Sequence, residues 1–218
     1  MSSTVLATET LATMHDLLKH LGGIPANRVR LQPPPGTATE RDVVRVHARD
    51  RRLCELVDGV LVEKPMGYYE SFLAGVLIKL LGNFLDQHDL GIVAGESGML
   101  RLAAGMVRIP DVSFVSWDRL PSQVVPRRPI PDLVPDLAIE VLSPGNTKRE
   151  MARKLDDYFS AGVRAVWFLE PKTKTVQVFA APDRSVLLRT KDTLEGGNVL
   201  PGFRVPVRKL FPQRKRKN

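Results

Sequence analysis

The sequence predicts an α/β (α+β) fold in which helices flank a mixed β-sheet. Two short apolar segments bounded by prolines, residues 112–115 and 137–142, are typical of buried strands. A helical pattern over residues 148–161 and an apolar segment over 165–169 follow, which predicts a strand–helix–strand unit. With 218 residues, 43% hydrophobic and 26% charged, the composition is that of a globular protein with an ordinary core.

Residues 1–50 are predicted to form a helical, proline-rich appendage. Leucine and methionine recur at helical spacing over residues 10–21, and Gly22 and Gly23 end that helix. Three consecutive prolines within residues 32–37 predict an extended connection. Residues 39–42 could begin either a short helix or a turn. We therefore expect a core domain over residues 51–212, after the appendage.

The core domain begins with a predicted hairpin, because two apolar runs surround Asp58-Gly59. Apolar residues at a helical period then predict a long helix over residues 67–88. A strand from Gly91 and a strand–turn–strand around Gly105 lead to residue 111. After the central unit, residues 175–179 alternate as a hairpin partner of 165–169, and residues 185–188 could add an edge strand.

Two acids stand out because they occur in the predicted buried strands. Asp111 opens the first strand and Glu140 lies inside the second. A buried carboxylate must be paired, hydrogen-bonded or bound to metal, and two of them on neighbouring strands form a hard oxygen site that Mg²⁺ accepts. Asp136 shares the strand parity of Glu140, so it is either a weaker candidate or simply a strand-opening acid.

The overall charge is basic, with a formal net charge of +8. A predicted basic tail over residues 213–218, which contains Arg214, Lys215, Arg216 and Lys217, either binds nucleic acid or is merely solvated. The single cysteine, Cys54, excludes an internal disulfide and a cysteine-based zinc site. We expect a cytoplasmic protein without a membrane partner, because no signal peptide or membrane span is evident.

Several short segments of the chain form one ordered set: residues 55–59, 107–115, 135–144, Lys154 with Tyr158, Gly162-Val163 before Trp167, and 201–203. This ordered set resembles the Uma2-like family of the PD-(D/E)xK nuclease superfamily. The resemblance extends over residues 55–211 and implies a restriction-endonuclease-like fold.

By this resemblance, Pro110-Asp111 is the "PD" element and Glu140 is the second acid. The superfamily pattern places a lysine two residues after that acid, where this chain has Leu142. The Uma2-like pattern has a lysine on the following helix instead, and Lys154 matches it. Lys154 is then expected to orient the attacking water or to stabilise the developing charge.

The resemblance also implies a cofactor, Mg²⁺ or Mn²⁺. Asp111 and Glu140 are expected to hold it together with the backbone carbonyl of Val141. Glu55 and Glu70 are candidates for an auxiliary acid. For Glu70 the alternative is a purely structural role, because a helix N-terminus favours an acid.

The implied function is that of a metal-dependent endonuclease acting on nucleic acid, with DNA as the expected substrate and a homodimer as the expected assembly. A catalytically inactive nuclease-fold module that binds nucleic acid or regulates is the alternative, and Leu142 motivates it. A third reading is a protein-interaction partner that uses the appendage.

Overall fold

The computed structural model describes residues 13–65 and 67–212. The basic tail and the first residues of the predicted helix at 10–21 lie outside these ranges. The α-helices are α1 (Met14–His20), α2 (Glu40–Asp50), α3 (Tyr68–Leu85) and α4 (Lys148–Ala161), with 3-10 turns at Ala26–Arg28, Trp117–Arg119, Pro121–Gln123 and Val207–Lys209. The strands are β1 (Cys54–Val57), β2 (Val60–Glu63), β3 (Gly91–Gly95), β4 (Leu100–Ala103), β5 (Met106–Arg108), β6 (Val112–Ser116), β7 (Leu137–Val141), β8 (Ala165–Glu170), β9 (Thr175–Ala181), β10 (Arg184–Leu188), β11 (Thr193–Glu195) and β12 (Arg204–Pro206).

The larger sheet has six strands in the order β10-β9-β8-β7-β6-β3. Among the described strands, β7 and β8 alone pair in parallel, and every other pair is antiparallel. The sheet is therefore mixed, as predicted. A smaller antiparallel sheet follows the order β2-β1-β5-β4, and β11 and β12 form a separate pair.

The helix α4 connects the parallel strands and confirms the predicted strand–helix–strand unit. The side chain of Thr147 caps the first turn by accepting a hydrogen bond from the backbone N–H of Glu150. The Glu150 carboxylate accepts the backbone N–H of Thr147 in return. The helix ends at Gly162, which adopts a left-handed conformation at φ 97°.

The two faces of the larger sheet bury different helices. Leu137, Ile139 and Val141 of β7 pack with the apolar face of α3. Ala138 points to the other face and packs with α4, and the alternation of side chains along β7 places Glu140 on that face as well. The sequence pattern of β7, apolar on both faces apart from one acid, thus directs the acid toward α4.

The N-terminal segment packs on the smaller sheet. Leu17 of α1 packs against Val57 and Val60 of the β1–β2 hairpin. The helix α2 packs Val43 and Val46 against Leu56 and Leu61, which alternate with those residues along the same strands. Where the sequence left either a short helix or a turn after residue 39, the structure has the 11-residue α2. The domain boundary at residue 50 stays a prediction.

Residues 109–111 carry the chain from β5 of the smaller sheet into β6 of the larger one. Asp111 therefore lies where the two sheets meet. No helix within residues 13–65 and 67–212 is both long enough and apolar enough to cross a membrane.

Candidate active site

The structure brings Asp111 and Glu140 together. Strands β6 and β7 are antiparallel neighbours with Val112 opposite Ile139, so Asp111, one residue before Val112, lies beside the strand position of Glu140. The backbone N–H of Val141 donates to Oδ2 of Asp111 over 2.6 Å. Both side chains are buried, with Asp111 at 7% and Glu140 at 4% exposure.

The helix α4 supplies two groups to Glu140. Nζ of Lys154 lies 2.9 Å from Oε1 of Glu140, and the hydroxyl of Tyr158 donates to the same oxygen over 2.6 Å. Residues four apart lie on one face of a helix, so the spacing of Lys154 and Tyr158 directs both toward the sheet. Neither side chain reaches solvent, since both residues are at most 2% exposed.

Glu55, on β1 of the smaller sheet, completes this group. Its Oε1 lies 2.9 Å from Nζ of Lys154 and accepts the backbone N–H of Ile109 over 3.1 Å. Its Oε2 accepts from Arg108 over 2.7 Å, and the Nε of Arg108 donates to Asp157 over 3.1 Å. Glu55 therefore joins the two sheets through Lys154.

Sequence reasoning missed two cations of this site, Arg108 and Lys64. Arg108 lies between the apolar residues Val107 and Ile109 and is buried in the structure. A charge in such an apolar segment could have predicted that burial. Lys64 lies just after β2, where a lysine looks like a solvated strand end. Its Nζ nonetheless lies 2.7 Å from Oδ1 of Asp111 and donates to the carbonyl of Ile109 over 2.7 Å.

The site holds opposing charges that shift the pKa of several groups. Burial raises the pKa of Glu140, and although the Lys154 ammonium opposes that rise, the negative charge of Asp111 adds to it. Burial also acts to raise the pKa of Glu55, but Lys154 and Arg108 outweigh it and lower that pKa to about 2. The pKa values of the two carboxyl groups that contact Lys154 therefore shift in opposite directions, down for Glu55 and up for Glu140.

The donors remain protonated. Burial acts to lower the pKa of Lys154, but the carboxylates of Glu140 and Glu55 outweigh it and raise that pKa above its ordinary value. Burial and the charge of Glu140 raise the pKa of Tyr158 well above its ordinary value. Lys154 is therefore an ammonium and Tyr158 a neutral hydrogen-bond donor.

The residues of this site fit a divalent cation bound by two carboxylates. Among the described residues, no group of three or more His, Cys, Asp or Glu side chains is arranged to hold a metal ion. Mg²⁺, however, is usually bound through one or two carboxylates plus waters and substrate phosphates. Oε1 of Glu140 accepts both of the hydrogen bonds that α4 donates to this side chain. Within the described ranges no group donates a hydrogen bond to its Oε2, so that oxygen remains for a cation. The participation of the Val141 carbonyl stays a prediction.

The structure places Glu70 beside a cavity. Glu70 lies in the first turn of α3, with its carboxylate folded back against Gly67. It lines a cavity of about 790 Å³ together with Leu142 and Ser143, which follow Glu140 along the chain. No ion pair or hydrogen bond in the described part of the chain links Glu70 to Asp111 or Glu140.

Asp136 lies at the other end of β7 from Glu140. It is 2.9 Å from Nε of Arg119 and 3.3 Å from a guanidinium nitrogen of Arg164. It also accepts the backbone N–H of Ser116 over 2.8 Å. These contacts match the alternative of a strand-opening acid, because each of them ties neighbouring parts of the chain to the start of β7.

Comparisons with known proteins agree with this architecture. The model of the Uma2 family, described as "Putative restriction endonuclease", matches residues 30–208. A crystal structure of "a putative nuclease belonging to DUF820" from Anabaena variabilis is similar, with a TM-score of 0.65 at 17% sequence identity over 74% of this chain and 90% of that chain. No curated protein matches the chain. The similarity confirms the fold class predicted from the sequence.

Proposed function

The chain belongs to the Uma2 family, and from that premise we propose that it is a metal-dependent endonuclease that hydrolyses phosphodiester bonds, with DNA as its substrate. The observation that carries the proposal is the convergence of Asp111, Glu140 and Lys154, three residues far apart in the sequence, at the junction of two sheets. The net charge of +8 supports a polyanionic substrate.

Asp111 and Glu140 would hold Mg²⁺ or Mn²⁺ through their carboxylates. When bound, such a cation supplies Lewis-acid activation of water and neutralises charge on the phosphate. The hydrogen bonds of Glu140 support this assignment, because both bonds donated from α4 go to Oε1 and leave Oε2 for a cation.

Lys154 would orient the attacking water or stabilise the charge that develops on the phosphate. It cannot act as a general base, because the carboxylates of Glu140 and Glu55 keep it protonated. Glu55 would be a positioning residue that holds the Lys154 ammonium together with Glu140, since both carboxylates lie 2.9 Å from Nζ. Tyr158 would fix the orientation of Glu140 through its hydroxyl.

The experiment is single-turnover cleavage of DNA and RNA in Mg²⁺ or Mn²⁺ by the wild type and by Asp111→Asn, Glu140→Gln and Lys154→Met. We expect DNA cleavage by the wild type and a loss of about 100-fold or more in each variant. Asp156→Asn is the matched control, because Asp156 lies on α4 near Lys154 but is exposed. Metal-dependent cleavage that survives in Asp111→Asn and Glu140→Gln would refute the assignment, and preferential RNA cleavage would refute the substrate.

A second candidate function is a catalytically inactive module that binds nucleic acid. Leu142, at the position of the superfamily lysine, favours this candidate, as does the ammonium of Lys64 on Asp111. Calorimetric titration with Mn²⁺ separates the two candidates. Binding that disappears in Asp111→Asn supports the nuclease, whereas nucleic-acid binding without any metal binding supports the inactive module.

We also propose a homodimer, because cleavage of both DNA strands requires two sites. Light scattering coupled to gel filtration tests this directly. A molar mass of twice the chain is expected, and a monomer at assay concentrations with double-strand cleavage intact would refute it.

A further inference from the structure

Lys64 is a buried cation in contact with the proposed metal site. Its backbone N–H donates to the carbonyl of Leu53 over 2.9 Å, which holds the residue at the end of the β1–β2 hairpin. The side chain is only 4% exposed, and its ammonium contacts Oδ1 of Asp111 and the carbonyl of Ile109, each over 2.7 Å. A buried lysine is rare unless it is paired, so these two contacts account for its position.

Both oxygens of Asp111 are engaged in this arrangement. Oδ2 accepts the backbone N–H of Val141, and Oδ1 carries the ammonium of Lys64. A divalent cation that approaches Asp111 therefore meets a positive charge already bound to it. Repulsion between two such cations is strong in a site from which water is excluded.

The position of Asp111 brings the Lys64 ammonium close to Glu140 as well. Asp111 lies beside the strand position of Glu140, and its Oδ2 accepts the backbone N–H of the next residue, Val141. A metal ion bound by Asp111 and Glu140 would therefore lie near the Lys64 ammonium, which contacts Oδ1 of Asp111.

We propose that Lys64 competes with the divalent cation for Oδ1 of Asp111, so that the cation binds only as Lys64 leaves that oxygen. The proposal rests on the metal-dependent function proposed above. Lys154 does not compete in this way, because it is held between the carboxylates of Glu140 and Glu55. Lys64 has one carboxylate partner and one neutral carbonyl, and is therefore the more readily displaced of the two lysines.

The test is calorimetric titration with Mn²⁺ of the wild type, Lys64→Met, Lys79→Met and Asp111→Asn. Methionine keeps much of the length of Lys64 and removes its charge. We expect Lys64→Met to bind Mn²⁺ at least about tenfold more tightly than the wild type, because no internal cation has to be displaced. Lys79, exposed on α3, is the matched control, and Lys79→Met should bind like the wild type. Asp111→Asn should not bind.

Two failures can be told apart. If the wild type and Lys64→Met bind Mn²⁺ equally and Asp111→Asn does not bind, the role of Lys64 is refuted while the metal site stands. If no protein shows binding that depends on Asp111, the proposed metal dependence is refuted and this inference with it. Weaker binding by a folded Lys64→Met would also refute the competition, since it would make Lys64 a support of the site.

A second measurement uses the wild type alone and does not depend on the folding of a variant. Lysines are acetylated briefly with and without saturating Mn²⁺, and the modification of each is measured by mass spectrometry. Displacement from Asp111 should raise the acetylation of Lys64 several-fold, with Lys79 unchanged as the internal reference. Acetylation of Lys64 that does not change with bound Mn²⁺ would overturn the proposal.

Discussion

Replacing Arg28 with methionine is expected to destabilise the fold substantially, because Arg28 forms a buried ion pair between the N-terminal segment and α4. Its guanidinium donates to both carboxylate oxygens of Glu150 over 2.6 and 3.0 Å. It also donates to the carbonyls of Glu63 over 2.8 Å and Gly145 over 3.0 Å. The side chains of Arg28 and Glu150 are only 9% and 6% exposed, so little solvent could replace these bonds.

The expected loss of stability follows from the Glu150 carboxylate, which Arg28→Met leaves buried without its cation. Removing one partner of a buried ion pair costs roughly 3–5 kcal/mol, because the other charge stays buried without compensation. Glu150 keeps weaker bonds from Asn146 at 3.2 Å and from the backbone of Thr147 at 3.3 Å, which places the cost near 3 kcal/mol. For a domain of this size that corresponds to a fall of about 6–12 °C in the melting temperature.

Urea denaturation of a double-mutant cycle measures the effect. Arg28→Met should lose about 3 kcal/mol, and Arg28→Met/Glu150→Gln should recover part of it because neither charge is left alone. Arg204→Met is the control, since Arg204 pairs with Glu195 at 68% and 58% exposure and should cost less than about 1 kcal/mol. If Arg28→Met were no more destabilising than this control, the reasoning would be wrong.

Three further predictions concern the site and its surroundings. Residues 140 and 142 share one side of the β7 segment, so Leu142→Lys/Lys154→Met should regain cleavage that Lys154→Met loses; a folded but inactive double variant would contradict this. Burial alone would raise the pKa of Glu55, but Lys154 and Arg108 lower it to about 2 from an ordinary value of 4.5, so its contribution to stability is complete above pH 4.5 and is lost as the pH falls toward 2. The free energy of unfolding, measured in urea across that pH range, should therefore depend less on pH in Glu55→Gln than in the wild type. Equal pH dependence in the two proteins would refute the stabilising role of the Glu55 carboxylate. Burial raises the pKa of the Cys54 thiol to about 12, so a disulfide reagent at pH 8 should modify the native protein at least about 100-fold more slowly than the unfolded chain; rapid modification of the native protein would show that the thiol is accessible.

The central elements could be predicted from local sequence alone. A strand buried on both faces reads as a continuous apolar run, as in residues 112–115 and 137–142, and β6 and β7 fall on these segments. The helix α4 begins and ends where it was expected, because Thr147 and Gly162 are strong capping residues. These signals are local, so no knowledge of the remaining chain was needed.

Other elements depend on contacts that the sequence does not display. Residues Val43, Val44 and Val46 lower the helix propensity of α2, which is stabilised by packing on the smaller sheet. The division into two sheets rests on pairings such as Leu56 with Val107, far apart in the chain, for which no local signal exists. The strands β11 and β12 are three residues each, too short to show alternation.

The site could be predicted only in part, because only some of its residues show a local signal in the sequence. Asp111 and Glu140 are conspicuous because each is a charge in an apolar segment, and the Uma2-like resemblance, now confirmed, directed attention to Lys154. Lys64 could not be found in this way, because it follows Glu63 at a strand end and looks like an ordinary surface residue. Its burial is produced by tertiary structure alone.

Because the site lies at the junction of the two sheets, at residues 109–111, its geometry depends on the folding of both sheets. Glu55 belongs to the smaller sheet and Glu140 to the larger, and Lys154 bridges them. A chain with only one sheet formed would separate Glu55 from Lys154 and Glu140, so the contacts around the Lys154 ammonium would be incomplete. Under the proposed endonuclease function, hydrolysis would therefore begin only once both sheets have docked.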